Sequence, residues 1–301
     1  MQHAKPDTLA THALPRRLLA CLNPVDRLYL IFLLFMALLA AARSGSWPSF
    51  VLAHLFIAAC IITLAANARR SPVLRFLHDW YPLVMFIFSF EEVARFSLSL
   101  VPHWQDHWLI AFEEWLFGLS PNLFFSRFHS PWLSELMDLG YFSYYPMFPV
   151  VGGLLYARQD KRLFRELMQC SVLMYFLSFA IYLVLPVEGP RHALPALVLP
   201  PHGGLFNWLV RAIQHNAGVH GNAFPSSHVG LALLCVVFAW RAGNKRIAPV
   251  LALCLAGICA GAVYDAYHYF ADIAGGLAMA LTALLMLRLI PRASVLHRFA
   301  T

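Results

Sequence analysis

The sequence predicts an all-α integral membrane protein with about eight transmembrane helices. Of its 301 residues, 60% are apolar and only 12% are charged, and the mean hydropathy is +0.64. Soluble domains usually carry about 25% charged residues. The apolar residues also fall into repeated runs separated by short polar segments, which is the pattern of helices that cross a bilayer.

The N-terminal part is predicted to precede the main membrane domain. Residues 1–25 are polar, basic and interrupted by proline. The first apolar run, 28–42, ends in three alanines like a signal peptide, but the long leading segment favours an uncleaved anchor. A second run covers 50–66. We therefore expect a cytoplasmic basic segment over 1–25, then two additional transmembrane helices within 26–79, and a main membrane domain over 80–301, in which any catalytic site is expected to lie.

Six further apolar runs follow in the second part of the chain. They lie at about 80–100, 136–155, 167–185, 228–240, 247–264 and 269–290. Between them are a non-spanning stretch at 101–131, whose amphipathic segment carries Glu113 and Glu114, and a loop at 186–225 rich in Pro, Gly and His. Several runs are shorter than the roughly 20 residues that a crossing needs, so we expect their ends to extend through neighbouring polar motifs.

The net charge of +7 predicts the orientation of these helices. Basic residues cluster near the N-terminus and at 69–75, 158–165, 241–246 and 288–298. Eight spans place all five clusters on one side, which the positive-inside rule makes cytoplasmic, together with both termini. The polar motifs then share the extracytoplasmic face, which would be the periplasmic side of a bacterial inner membrane. Short basic clusters between apolar runs do not indicate a nucleic-acid partner.

Two polar motifs lie where apolar runs meet loops. The first reads Phe-Pro-Ser-Ser-His and ends at His228. Ser226 is suited to cap the following helix, which leaves His228 in a first turn whose unpaired amides favour anions. The second reads His-Tyr-Phe-Ala-Asp, and on a helix the spacing of His268 and Asp272 lets the carboxylate orient the ring.

A third polar segment, 186–192, follows the run at 167–185 and carries Arg191, whose guanidinium suits bidentate contact with phosphate. Ser226 and Ser227 offer hydroxyls for the remaining oxygens. A neutral imidazole held by a carboxylate can attack phosphorus and carry the phosphoryl group. A second imidazole can protonate the leaving oxygen and then deprotonate the incoming nucleophile. Such a set needs no metal and no other cofactor.

These residues resemble the motifs of the type 2 phosphatidic acid phosphatase superfamily, which are Lys-x6-Arg-Pro, Pro-Ser-Gly-His and Ser-Arg-x5-His-x3-Asp. Arg191 is similar to the arginine of the first motif, residues 225–228 to the second, and His268 with Asp272 to the third. The resemblance implies a six-helix phosphatase/phosphotransferase core. It also implies that His268 is the nucleophile, Asp272 its orienting group and His228 the acid/base.

The departures from the motifs favour one branch of the superfamily. Val184 stands at the lysine position of the first motif, Ser227 replaces a glycine, and Gly261-Ala262 replaces the Ser-Arg pair. The reduced set of cations, the His-Tyr-x-x-Asp motif and the stretch at 113–121 resemble the inositol phosphorylceramide synthase and sphingomyelin synthase branch. The resemblance therefore implies a lipid substrate whose phosphoryl or phospho-headgroup passes to water or to a lipid hydroxyl.

Three further residues are candidate contacts for a lipid headgroup, namely His192, Glu114 and Tyr264. Each also has a simpler interpretation, because loop histidines and interfacial glutamates and tyrosines are common in membrane proteins. Asp265 is expected to be solvated in the loop. His228 and His268 could individually be satisfied interfacial residues, but together with Asp272 and Arg191 they favour chemistry.

Two other function classes stay open. A metal-dependent membrane hydrolase could use His228, His268 and Asp272 as ligands, although Arg191 beside a metal would be electrostatically unfavourable. A transporter would carry ionisable residues along its spans, whereas here most of them lie at span ends. The six cysteines form no CxxC pair, so we expect neither disulfides nor a zinc site. The oligomeric state is not readable from the sequence.

Overall fold

Every regular element that the structure, a computed structural model, describes is helical. The described residues are 20–43, 47–158, 161–199, 203–217 and 221–289, so most of the predicted basic N-terminal segment and the chain beyond 289 lie outside them. The α-helices are α1 (Pro24–Arg43), α2 (Trp47–Asn67), α3 (Pro72–Phe96), α4 (Asp106–Phe117), α5 (Pro121–Phe125), α6 (Pro131–Phe142), α7 (Tyr144–Tyr156), α8 (Arg162–Val184), α9 (Pro190–Ala193), α10 (Leu205–Ala217), α11 (Ser227–Arg241), α12 (Ile247–Tyr264) and α13 (Phe270–Leu289).

Six of the described helices are long and apolar enough to cross a membrane, and they are α1, α2, α3, α8, α12 and α13. The prediction of an all-α integral membrane protein is therefore confirmed. The two other predicted spans are shorter elements. One is α11, an apolar helix of 15 residues. The run at 136–155 is divided into α6 and α7, because Pro146 has no N–H to donate to Phe142 and so cannot continue the hydrogen-bond ladder of α6.

The chain divides into two compact units between Met85 and Phe86, inside α3. The first unit contains a buried ion pair, with His78 Nε2 3.1 Å from Asp26 Oδ2. Asp26 is fully buried, and its carboxylate also accepts from the Tyr81 hydroxyl at 2.9 Å and the Asn23 amide at 2.7 Å. A buried carboxylate surrounded by donors in this way is satisfied without solvent.

The second unit is held together by close approaches between helices at glycines. A Cβ on Gly140 of α6 would lie 2.8 Å from the carbonyl oxygen of Gly257 in α12. Small residues at a crossing let two backbones touch, which is the main source of helix association in a bilayer. The close packing of α6 against α12 fixes the end of α12, from which the turn at 265–269 leads into α13.

A second glycine crossing brings the two sequence motifs together. A Cβ on Gly276 of α13 would collide with the carbonyl oxygen of Ser226, and a Cβ on Gly230 of α11 would lie 3.0 Å from the carbonyl oxygen of Gly276. Because Gly230 lies within the first turn of α11 and Gly276 within the first two turns of α13, the N-terminal parts of α11 and α13 meet side by side. α8, buried along most of its length, packs against both.

The stretch at 101–131 contains the predicted amphipathic helix, α4, but its buried face is not apolar. Trp108, Phe112 and Trp115 are exposed, whereas Asp106 and Glu113 are buried together with Leu109. Two carboxylates on the inward face of an amphipathic helix require polar partners. Those partners lie in the segments that carry the sequence motifs.

Candidate active site

His268 and Asp272 form a buried pair at the start of α13. His268 Nδ1 lies 3.1 Å from Asp272 Oδ2, and the Tyr269 amide donates to the same oxygen at 2.9 Å. His268 lies two residues before α13, which begins at Phe270. The contact with Asp272 therefore bridges the start of the helix, whereas two residues inside a helix would share one of its faces. In the tautomer that directs Nδ1–H at the carboxylate, Nε2 keeps its lone pair.

His228 lies on the first turn of α11 and faces the same space. The Ser226 side chain caps this helix by accepting from the Val229 amide at 3.4 Å, as the sequence predicts. The ring centroids of His228 and His268 are 5.8 Å apart. His228 Nδ1 is buried and has no hydrogen-bond partner within the described part of the chain. At this separation both imidazoles can reach one phosphoester.

Backbone and aromatic contacts fix the relative position of the two histidines. The Ser226 amide donates to the Asp272 carbonyl at 2.9 Å, which joins the N-terminus of α11 to that of α13. The His228 ring packs against Tyr144, with ring centroids 4.3 Å apart. Ser227, the first residue of α11, is buried beside it. The two predicted phosphate-binding serines therefore lie at the helix start that presents His228.

Arg191 is held beside the turn that leads to His268. Its Nε donates to the Asp265 carbonyl at 2.8 Å, and its guanidinium carbon lies 3.9 Å from the centre of the Tyr267 ring. Stacking on an aromatic face orients the planar guanidinium. The Arg191 side chain is exposed, so its terminal amino groups are accessible to an anion.

The prediction that Asp265 is solvated is wrong. The residue is only 2% exposed, and its Oδ2 has no hydrogen-bond partner among the residues that the structure describes. Burial raises the pKa of Asp265 to about 8, and the Asp138 carboxyl raises it further while Arg191 and Arg211 lower it. The side chain is therefore largely protonated at neutral pH, which avoids an unpaired buried charge next to Arg191.

Three buried side chains between residues 106 and 122 hold the motif segments in place, and none was predicted as a site residue. Asp106 accepts from the Gly189 amide and from the Tyr269 hydroxyl, each at 2.9 Å. Glu113 accepts from the Ala271 amide at 3.0 Å, and Asn122 donates to the His268 carbonyl at 3.0 Å. The sequence indication that could have identified Asp106 and Glu113 is that polar residues stand on the inward face of an amphipathic segment.

Glu113 stabilises the N-terminus of α13. Its second oxygen accepts from the Ser120 hydroxyl at 3.3 Å, and the residue is fully buried. Burial raises the pKa of Glu113 to about 6, although the bond to the Ala271 amide lowers it. A carboxylate at a helix start complements the helix dipole, so Glu113 supports the helix that carries Asp272.

The three candidate headgroup residues lie in different surroundings. Glu114 and His192 are exposed. Tyr264 is buried, and its ring stacks on His129 with centroids 4.2 Å apart, while its hydroxyl lies 3.1 Å from Ser134 Oγ. These contacts give Tyr264 a packing role at the end of α12. A headgroup contact by any of the three stays a prediction.

No three His, Cys, Asp or Glu side chains of the described residues are placed to hold a metal ion. In particular, Asp272 Oδ2 is already occupied by two donors, His268 Nδ1 and the Tyr269 amide. The His268 imidazole contacts Asp272 and lies beside the His228 imidazole. The Arg191 guanidinium lies next to the turn that leads to His268.

Comparison with known proteins adds to this geometry. The family model described as PAP2 superfamily matches residues 107–286, a range that is more than half of the chain and contains Arg191, His228, His268 and Asp272. No curated protein and no solved structure matches the sequence. The all-helical membrane fold is consistent with this match. Because the family model covers more than half of the sequence, the chain belongs to the PAP2 superfamily.

Proposed function

We propose that this membrane enzyme cleaves a lipid phosphoester through a covalent phosphohistidine on His268. Its superfamily consists of phosphatases and phosphotransferases. The observation that carries the proposal is the geometry of His268, whose Nδ1 is fixed by Asp272 at 3.1 Å while His228 stands 5.8 Å away, centroid to centroid. The imidazole is thus oriented by one partner and faces a second titratable group.

In the first step, His268 Nε2 attacks phosphorus and the bond from phosphorus to the leaving oxygen breaks. Protonated His228 gives its proton to that oxygen. Arg191, the hydroxyls of Ser226 and Ser227 and the amides at the start of α11 bind the non-bridging oxygens and stabilise their charge. Asp272 keeps the ring in the reactive tautomer and stabilises the positive charge that the phosphorylated imidazole carries.

In the second step, neutral His228 takes a proton from the acceptor hydroxyl. The acceptor oxygen then bonds to phosphorus as the bond from phosphorus to Nε2 breaks, which restores His268 and leaves His228 protonated for the next cycle. The same residues serve water and a lipid hydroxyl equally. Hydrolysis and transfer therefore differ in the acceptor rather than in the machinery.

We infer a phospholipid diester and transfer to a lipid hydroxyl as the more suitable reaction, as in the inositol phosphorylceramide synthase and sphingomyelin synthase branch. With Val184 and Ala262 at two basic positions of the family motifs, Arg191 is the one cationic side chain that those motif positions supply. A phosphomonoester dianion needs more compensating charge than a diester monoanion. The small number of cationic side chains at the motif positions thus supports a diester substrate.

The topology proposed for this reaction follows from charge. Along the sequence the basic clusters alternate with the motif segments from one apolar run to the next, which supports an active site on the extracytoplasmic side of a bacterial inner membrane with both termini in the cytoplasm. Substrate would then be drawn from the outer leaflet.

Trapping and product analysis test the proposal. Purified protein in detergent is incubated with labelled phosphatidic acid and, separately, with labelled phospholipids plus a lipid alcohol. Free phosphate indicates hydrolysis, and a new phospholipid indicates transfer. Acid-labile label on His268 is expected, and its absence from wild-type protein during turnover would overturn the phosphohistidine step. Loss of activity after exhaustive chelation would favour the metal-dependent alternative.

A further inference from the structure

Asp106 is the first residue of α4 and lies immediately before the range matched by the family model. Its carboxylate accepts three hydrogen bonds of 2.9 Å, from the amides of Glu188 and Gly189 and from the hydroxyl of Tyr269. The side chain is buried. Three donors converging on two oxygens fit an acceptor-only carboxylate.

The first two bonds fix the segment that carries Arg191. Gly189 adopts φ +113°, a conformation that favours glycine, and α9 begins at the next residue. The Gly189 amide therefore sets the direction in which the chain enters α9 and so the position of the Arg191 guanidinium. The Gln105 amide adds a backbone bond of 2.8 Å to the Pro186 carbonyl, which ties the same loop to the start of α4.

The third bond fixes the segment that carries His268. Tyr269 is fully buried, and burial together with the Asp106 carboxylate raises the pKa of its phenol, so the hydroxyl stays protonated and donates. Its amide donates to Asp272. The residue that follows His268 is thus anchored at both its backbone and its side chain.

We propose that Asp106 is a positioning residue that couples the phosphate-binding Arg191 segment to the His268 nucleophile. This inference rests on the proposed function for its kinetic consequences. A single rigid acceptor bonded to both segments keeps the guanidinium and the nucleophilic nitrogen at a constant separation, as attack on a bound phosphoester requires. If Asp106 couples the two segments, weakening its hydrogen bonds is expected to reduce both phosphate binding and the rate of the chemical step.

Two variants separate these effects. Tyr269→Phe removes only the bond to the His268 side, so kcat is expected to fall about tenfold while the inhibition constant for inorganic phosphate stays unchanged. In Asp106→Asn an NH₂ group replaces one carboxylate oxygen. A donor of the surrounding segments then faces another donor, so at least one of the three hydrogen bonds is lost. It is expected to lower kcat/KM about a hundredfold and to weaken phosphate inhibition as well.

The double variant tests the coupling directly. If one carboxylate serves both segments, Tyr269→Phe added to Asp106→Asn costs little more than Asp106→Asn alone. Losses that multiply, or an Asp106→Asn protein with unchanged phosphate inhibition, would overturn the proposal. Tyr269→Phe still decides the issue if Asp106→Asn does not fold, because weakened phosphate inhibition in Tyr269→Phe would contradict the assignment of that bond to the His268 side.

Asp26→Asn is the matched control. It changes another buried aspartate that accepts from a tyrosine hydroxyl and a backbone amide, and it is expected to alter stability without changing kcat or phosphate inhibition. Amide hydrogen exchange supplies a readout that does not need turnover. Asp106→Asn should speed exchange at both 186–192 and 266–272, and Tyr269→Phe only at 266–272.

The exchange experiment also separates this inference from the proposed function. Wild-type protein without His268-dependent turnover would refute the function while leaving the exchange test of the coupling intact. Unchanged exchange in both segments of Asp106→Asn would refute the coupling, even if His268 carries the label as proposed.

Discussion

Each unit of the molecule contains a buried histidine that pairs with a buried aspartate at 3.1 Å, Asp26–His78 in the first unit and Asp272–His268 in the second. The pairs differ in the ring nitrogen that they use. His78 directs the outer nitrogen, Nε2, at its carboxylate, whereas His268 directs the inner nitrogen, Nδ1. Only in the His268 pair is the outer nitrogen therefore not the one that contacts the carboxylate.

The surroundings of the two pairs differ as well. Asp26 is saturated by His78, Tyr81 and Asn23. Asp272 keeps one oxygen without a hydrogen-bond partner in the described chain, and His268 faces a second imidazole, His228. A His–Asp pair by itself is thus compatible with a purely structural role, and the tautomer and the neighbouring groups determine whether it can act chemically.

Replacing His268, the proposed nucleophile, should have the largest effect. His268→Ala is expected to lower turnover by at least about 10⁴-fold, because the covalent route is lost, and to abolish phosphoprotein labelling. Turnover and label are measured on protein that elutes as a folded species in detergent. A fully active variant would end the assignment of His268 as the nucleophile.

Removing the second imidazole should have the next largest effect, and that effect should depend on the leaving group. His228→Ala is expected to lower turnover of an alkyl phosphoester about 10²- to 10⁴-fold, because the leaving oxygen must be protonated. Formation of phosphoenzyme from a p-nitrophenyl phosphoester should be much less affected, since that leaving group needs no proton. Equal losses on both substrates would contradict the acid/base role.

Arg191→Lys should have an intermediate effect. Lysine cannot reproduce the planar fork or its stacking on Tyr267, so kcat/KM is expected to fall at least about tenfold. Arg127→Lys is the control, because Arg127 is an exposed arginine outside the motifs. Equal kinetics for the two variants would remove Arg191 from the site.

The dependence of stability on pH should change when Asp265 is replaced. Its pKa is about 8 in the folded protein and about 3.8 when unfolded, so between these values the folded state binds more protons and loses stability as pH rises. Asp265→Asn should remove this loss, and its melting temperature relative to wild type should increase from pH 5 to pH 8. Glu114→Gln, an exposed control, should show no such trend.

Breaking the pair in the first unit should have the smallest effect on activity. His78→Ala leaves Asp26 buried without its cationic partner, which costs about 3–5 kcal/mol in comparable buried pairs. Turnover per folded molecule is nevertheless expected to stay within about twofold of wild type. Melting temperature and kinetics on the same preparation check both parts, and a large loss of turnover would show that the first unit contributes to catalysis.

Much of the site was predictable because motif residues lie at helix starts. Ser226 caps α11 as expected, and His268 and Asp272 are in contact, although across the start of α13. The predictions were wrong for Asp265, which is buried, and incomplete for 101–131, where the buried Glu113 rather than the exposed Glu114 contacts α13. Burial of a loop carboxylate depends on what packs over the loop, and local sequence does not contain that information.

The sequence by itself determined that the chain is an all-helical membrane protein and where its polar motifs lie, because hydropathy and motif spacing are local properties. Only the tertiary structure decided what holds those residues together. Asp106, Glu113 and Asn122 contact segments about 80 to 160 positions away along the chain. Contacts between residues so far apart in sequence depend on how the helices pack, and no local periodicity identifies the partners.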